Sequence, residues 1–158
     1  MSSTVHRRAM LLAAGAAAVA GSAAADTVSD LQKIMDRYAA ALDSGDVEAL
    51  VGLYSPKGVF MREEMKAVVG QDALRAAYNE VFASLKVDLQ FTIREAEESG
   101  DMAWLRSVSK GTVEVLKTGV EAKQGYNQLV VFRKEGGAWK IRAYLYGSNR
   151  PEPGQTAT

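Results

Sequence analysis

The residues of this chain best placed to do chemistry are neutral, polar and set among apolar neighbours. Tyr38 falls on the apolar face of a predicted helix, and Ser107, Ser109, Tyr126 and Gln128 fall in the inner phase of two predicted strands. With Tyr54 and Met61 they describe apolar walls carrying a few convergent donors and acceptors, the make-up of a small-molecule pocket. Arg62, next after Met61, adds a cationic donor, and Asn149 either closes the pocket rim or makes an Asx-type turn before Pro151. Each has a plainer role as well. A tyrosine on an apolar helix face can be a core residue with its hydroxyl satisfied, and the serines can be small filler.

Composition narrows the chemistry further. The 158 residues include no cysteine and one histidine, His6, so there is no thiol nucleophile, no thiolate metal site and no disulfide framework. Acidic and basic residues balance at 19 each and are interspersed, which leaves no electrostatic footprint for nucleic acid. Residues 1–25 read as an export signal: Arg7-Arg8, an Ala/Gly/Leu run from Ala9 to Gly21, and Ala23-Ala24-Ala25 as a cleavage site before Asp26. The run is shorter and more alanine-rich than the ~20 strongly apolar residues of a membrane span, so no permanent span is expected. The paired arginines are similar to a twin-arginine signal, and the general secretory route is the alternative. Either way the predicted location is periplasmic or secreted. Cleavage removes His6, so the mature chain would have neither His nor Cys, which excludes Ser-His-Asp and Cys-His catalysis; no metal or other cofactor is expected.

The elements that must position these residues follow from periodicity. Val28, Leu31, Ile34, Met35, Tyr38 and Leu42 recur at helical spacing over Asp26 to Leu42. Asp46 caps a second helix running to Tyr54, Pro56-Lys57-Gly58 breaks it, and Val59 to Arg62 is a short strand. Glu63 to Val69 reads as loop, and a third helix spans Asp72 to Leu85. From Val87 the pattern alternates, giving a strand, a long strand from Met102 to Leu116, and a hairpin around Gly136-Gly137. A two-residue turn there sets Phe132 opposite Ile141, Val130 opposite Ala143 and Gln128 opposite Leu145. Trp104, Arg106, Arg142, Tyr144 and Tyr146 then face outward, and an aromatic outer face predicts a homodimer through Trp104, Arg106, Tyr144 and Tyr146. Helices followed by a meander make an α+β domain, with a curved antiparallel sheet wrapped over three N-terminal helices. It spans residues 26–150, and residues 151–158 read as a flexible tail.

The stretches Arg37 to Asp46, Leu50 to Tyr54, Val131-Phe132-Arg133, Trp139-Lys140-Ile141 and Tyr146 to Asn149 resemble the nuclear transport factor 2-like superfamily. The resemblance is to its SnoaL-like branch, which includes relatives of the calcium/calmodulin kinase association domain, and it extends to ketosteroid isomerases. It implies a cone of cystatin-like α+β barrel type, an apolar pocket between sheet and helices, and frequent dimers. It also implies an oxyanion donor at Tyr38. The general-base position of the isomerases falls on Arg62, and the protonated acid of their oxyanion hole on Val130, so one of three catalytic groups is retained and steroid isomerisation lacks its base.

Three functions remain open at this point. The leading one is an exported domain that binds a small, largely apolar organic molecule through Tyr38, Tyr54, Met61, Arg62, Ser107, Tyr126, Gln128 and Asn149. The second is a cofactor-independent isomerase, lyase or cyclase, with Tyr38 polarising a carbonyl and Glu63 or Asp43 as base. The third is a noncatalytic association domain.

Overall fold

The computed structural model describes residues 16–149, with side chains from Asp26 onward. The predicted Arg7-Arg8 motif and the tail at residues 151–158 lie outside the described residues. Helix α1 runs Ala16–Ser44 and buries Leu31, Ile34, Met35, Tyr38, Ala41 and Leu42, the 3.6-residue stripe visible in the sequence. Its first predicted apolar member departs from the stripe: Val28 is exposed and Thr27 is buried, donating its hydroxyl to Glu98. Asp46 caps α2 (Val47–Leu53) by accepting the Ala49 N–H at 2.9 Å, which satisfies one of the donors a helix start leaves unpaired.

Strand β1 (Tyr54–Met61) takes in the Pro56-Lys57-Gly58 stretch read as a helix breaker, and its pairing shifts between Tyr54 and Val59. A two-residue strand β2 (Val68–Val69) pairs with β1 inside the segment expected to be loop, and α3 spans Gln71–Ser84. The meander follows as β3 (Leu85–Ser99), β4 (Met102–Val115), β5 (Val120–Glu135) and β6 (Ala138–Ser148). The six strands are ordered β2-β1-β6-β5-β4-β3, with β1 parallel to β6 and the other pairs antiparallel, so the sheet is mixed and does not close. The α+β class holds, with helices packed on the concave face around Leu31, Met35, Leu50, Leu74, Leu105, Val130, Phe132 and Ile141.

The last hairpin decides which side chains face that core. Gly136 and Gly137 have φ of 57° and 82°, a left-handed pair that suits glycine, and Glu135 meets Ala138 across the turn. Phe132 opposes Ile141 as predicted. One residue further the register shifts: Val131 opposes Ala143, Val130 opposes Tyr144 and Gln128 opposes Tyr146. The extra residue is Arg142, whose guanidinium donates to the Lys57 carbonyl on the irregular part of β1. A bulge of one residue moves every later side chain to the other face of a period-2 strand.

The predicted outer face is corrected accordingly. Tyr144 is 3% exposed and Tyr146 is half-buried, both turned inward, while Leu145 is 42% exposed. Trp104 and Arg106 stay outside, beside Val131, Ala143, Leu129 and Leu145 in the strand register. A second bulge, at Arg94, bends β3: Ile93 opposes Ser107, yet Glu95 opposes Arg106. Bulges bend and twist the strands that carry them, and these two sit where the sheet must wrap the helices.

Candidate functional site

Between α1, α3 and the concave face lies a cavity of about 160 Å³. Its buried lining includes Tyr38, Phe60, Tyr78, Leu89, Gln128 and Tyr144, and its half-buried lining includes Arg62, Val81, Leu85, Tyr126 and Tyr146. An apolar void of about 150 Å³ admits benzene, so the space suits a single ring. Aromatic planes set its shape. Tyr38 stacks on Tyr144 at 4.9 Å, Phe60 stacks on Tyr78 at 5.1 Å, and Tyr126 meets Tyr146 edge-on at 5.3 Å.

Three phenols from three elements are joined through their hydroxyls. Tyr78 of α3 lies 2.7 Å from the Tyr38 oxygen of α1 and 2.8 Å from the Tyr54 oxygen at the start of β1. Tyr78 is thus the hub, and Tyr54, 1% exposed and not part of the lining, sits behind it. Burial pushes Tyr38, Tyr54 and Tyr78 well above the ordinary phenol value, and neighbouring phenols push them further. Tyr144 is raised chiefly by burial. Tyr146 is raised by burial and by Tyr126, with Arg62 acting in the opposite direction. These groups are therefore neutral hydrogen-bond donors at any physiological pH.

Behind Gln128, Ser107 donates to the Gln128 Oε1 at 2.9 Å, and Gln128 Nε2 donates to the Ser109 Oγ at 2.6 Å. The two serines clamp one amide on the floor of the cavity. They face Gln128 because β4 and β5 pair Ser107 with Gln128 and Ser109 with Tyr126, and alternation keeps all four on the inner face. Arg62 leaves the end of β1 with its guanidinium carbon 5.8 Å from the Phe60 ring centre, and its Nε is buried with no hydrogen-bond partner.

Of the residues singled out in the sequence, Tyr38, Arg62, Tyr126 and Gln128 meet on the cavity lining. Tyr54 and Ser107 form the layer behind it, through Tyr78 and Gln128. Met61 and Asn149 are not on the lining; Asn149, two residues before Pro151, donates its backbone N–H to the Gly125 carbonyl at 3.1 Å. Neither carboxylate considered as a base reaches the cavity. Glu63 is exposed and accepts the Ser148 N–H at 2.8 Å, and Asp43 is exposed beside Lys86 and Asp88. Among the described lining residues there is no Asp or Glu at all.

Sequence reasoning missed Tyr78, Tyr144 and Tyr146. Tyr78 had a usable signal, since Leu74, Ala77, Tyr78 and Val81 recur at helical spacing on α3. Tyr144 and Tyr146 had none, because counting from the turn places them outside. Among the described residues no group of His, Asp or Glu is arranged to hold a metal ion, and no helix is long and apolar enough to cross a membrane.

A curved sheet over three helices, with an apolar cavity and a few inward polar groups, defines a cone-shaped α+β ligand-pocket domain. The chain belongs to the SnoaL-like domain family, whose model matches residues 35–142. Among solved structures it is similar to a ketosteroid isomerase-like protein from Erwinia carotovora atroseptica, at 30% identity over 78% of this chain and 96% of that one, with a TM-score of 0.73. A nuclear transport factor 2-like protein with a cystatin-like fold from Novosphingobium aromaticivorans shares the fold at 19% identity, covering 89% and 94% of the two chains with a TM-score of 0.66. So does a candidate calcium/calmodulin-dependent protein kinase type II association domain from Thiobacillus denitrificans, at 11% identity, 75% and 94% coverage and a TM-score of 0.62. No curated protein matches the chain in sequence.

Proposed function

We propose that this protein is an exported binder of a small organic molecule of about one ring, held in the cavity by stacking and by donated hydrogen bonds. The observation that carries the proposal is the lining itself: aromatic walls, neutral phenol and amide donors, one cation and no carboxylate. Tyr38, Tyr126, Gln128 and Arg62 are the contact residues, with Tyr54 and Ser107 holding their neighbours in place. Met61 and Asn149 are assigned to the frame. A four-ring steroid exceeds a space of benzene size, so a steroid is not the proposed ligand. Export rests on the signal pattern of residues 1–25, and the size of the protein recovered from the host's cell envelope or medium tests it. Native mass spectrometry of protein purified from its host tests the binding. A retained mass of single-ring size supports the reading, and no retained mass together with no thermal stabilisation by any small aromatic compound refutes it.

The hydroxyl chain Tyr38–Tyr78–Tyr54 favours one second reading, a cofactor-independent isomerase, lyase or cyclase. A phenol backed by two others donates more strongly to a developing oxyanion. Proton abstraction by Glu63 or Asp43 has no geometry in this cavity, so such a reaction would need a substrate that supplies its own base.

The pocket domain is further proposed to form a homodimer through the corrected outer face. Leu129 and Leu145, 44% and 42% exposed, are paired across β5 and β6 and lie beside Trp104 and Arg106. Exposed apolar side chains contiguous in a sheet register are the make-up of an association surface.

A further inference from the structure

We infer that the ligand is an anion, a single-ring or comparably small carboxylate whose acid group binds the Arg62 guanidinium; this rests on the cavity being a ligand site. Arg62 follows the last residue of β1, and strand alternation continues the inward phase of Phe60, which lines the cavity beside Tyr144. Its Nε is buried and bonded to nothing. Its neighbour Glu63, the nearest acid in sequence, is committed to the Ser148 backbone N–H. The ion pairs among the described residues use Lys33, Arg75, Arg106, Arg133 and Lys134, all on the surface, and leave Arg62 out.

A buried guanidinium N–H without an acceptor is unfavourable, and the protein could have silenced it with a carboxylate. Instead the cavity brings only phenols and an amide to the same space, groups able to donate to further anionic oxygen atoms. One cation at the half-buried lining of a mostly apolar cavity, in none of the ion pairs among the described residues, selects for negative charge and against amines. The size of the cavity then sets the rest of the ligand. A ring lies between the aromatic walls, and its carboxylate extends to half-buried Arg62. Arginine suits this position because its planar fork matches a carboxylate.

The test is isothermal titration calorimetry with benzoate and benzamide, which have nearly the same shape but differ in charge, on the wild-type protein and on Arg62→Met. Benzoate is expected to bind at least about tenfold tighter than benzamide to the wild type. In Arg62→Met that advantage is expected to vanish, benzoate losing at least about tenfold more affinity than benzamide. Benzamide binding as tightly as benzoate in the wild type overturns the inference and leaves the cavity reading intact, and so does a benzoate preference that survives in Arg62→Met. If neither probe binds the wild type, the carboxylate inference is overturned, and the cavity reading falls with it only if native mass spectrometry and the thermal screen are also silent. Should Arg62→Met not fold, the wild-type comparison still decides, with Arg62→Lys expected to keep the preference for benzoate.

Discussion

Removing the hub of the phenol chain should cost at least as much as removing the hub and its buried neighbour together. Tyr78→Phe deletes the hydroxyl that bonds Tyr38 at 2.7 Å and Tyr54 at 2.8 Å. Two neutral hydrogen bonds are worth about 1 kcal/mol each, and a buried hydroxyl stripped of its partner adds about 1–3 kcal/mol. Tyr38, 2% exposed, lines the cavity, and Tyr54, 1% exposed, lies behind the lining. Both buried hydroxyls lose their Tyr78 partner, the Tyr54 one being shut off from the cavity as well, and Tyr78→Phe should lose about 2–4 kcal/mol. Tyr54→Phe/Tyr78→Phe removes the stranded group as well, so the double variant should be no less stable than Tyr78→Phe alone. The pair would then be non-additive by about 1–2 kcal/mol. Urea unfolding followed by Trp fluorescence, with circular dichroism as a second probe, reads these differences directly. Additive losses in the double variant, or a Tyr78→Phe protein within about 0.5 kcal/mol of wild type, would refute the hub role of Tyr78.

Four further outcomes are expected. Tyr38, Tyr54, Tyr78 and Tyr144 are at most 3% exposed with folded values raised above the ordinary phenol value of about 10. Above that pH the unfolded chain gives up protons the native state keeps, so stability is full below it and falls as pH rises, by about 1.4 kcal/mol per pH unit for each such tyrosine. Urea midpoints measured from about pH 9 to about pH 11 should drop steeply, and the drop should shrink in Tyr54→Phe/Tyr78→Phe. Gly111→Ala should destabilise by about 3 kcal/mol or prevent folding, because the added Cβ would stand 2.0 Å from the Asp88 carbonyl oxygen in the β3–β4 pairing. Gly125→Ala, where the nearest atom is the swinging Asn149 side-chain oxygen at 2.4 Å, should cost clearly less in the same urea assay. Leu145→Asp should convert a dimer to monomer in analytical ultracentrifugation with the fold unchanged by circular dichroism, and an unaltered mass would remove this face as the interface.

The corrected hairpin bears on function as well as on packing. Without the Arg142 bulge, Tyr144 and Tyr146 would face outward and the cavity would lose the ring that stacks on Tyr38. Arg142 anchors the bulge on the Lys57 carbonyl, so two irregular stretches, one on β1 and one on β6, lock together beside the site. The same shift turns Leu129 and Leu145 into neighbours on the outer face. One inserted residue thereby sets the aromatic wall of the cavity and the composition of the proposed interface.

Local chemistry was legible in the chain and long-range register was not. Helical spacing picked out Leu31 to Leu42, alternation picked out Leu105, Ser107, Ser109, Gln128 and Val130 as inward, and Gly136-Gly137 placed the turn and its first pairs, because each depends on residues close in sequence. The absence of cysteine and the single His6 likewise limit the available chemistry from composition alone. The meeting of Tyr38, Tyr54 and Tyr78 was decided only in three dimensions, since their hydroxyls come from α1, β1 and α3 and no spacing rule links those elements. The inward turn of Tyr144 and Tyr146 was decided there too. A bulge carries no residue signature of its own in Trp139 to Tyr146; it forms because the sheet must bend around the helices, and that demand exists only once the helices are packed.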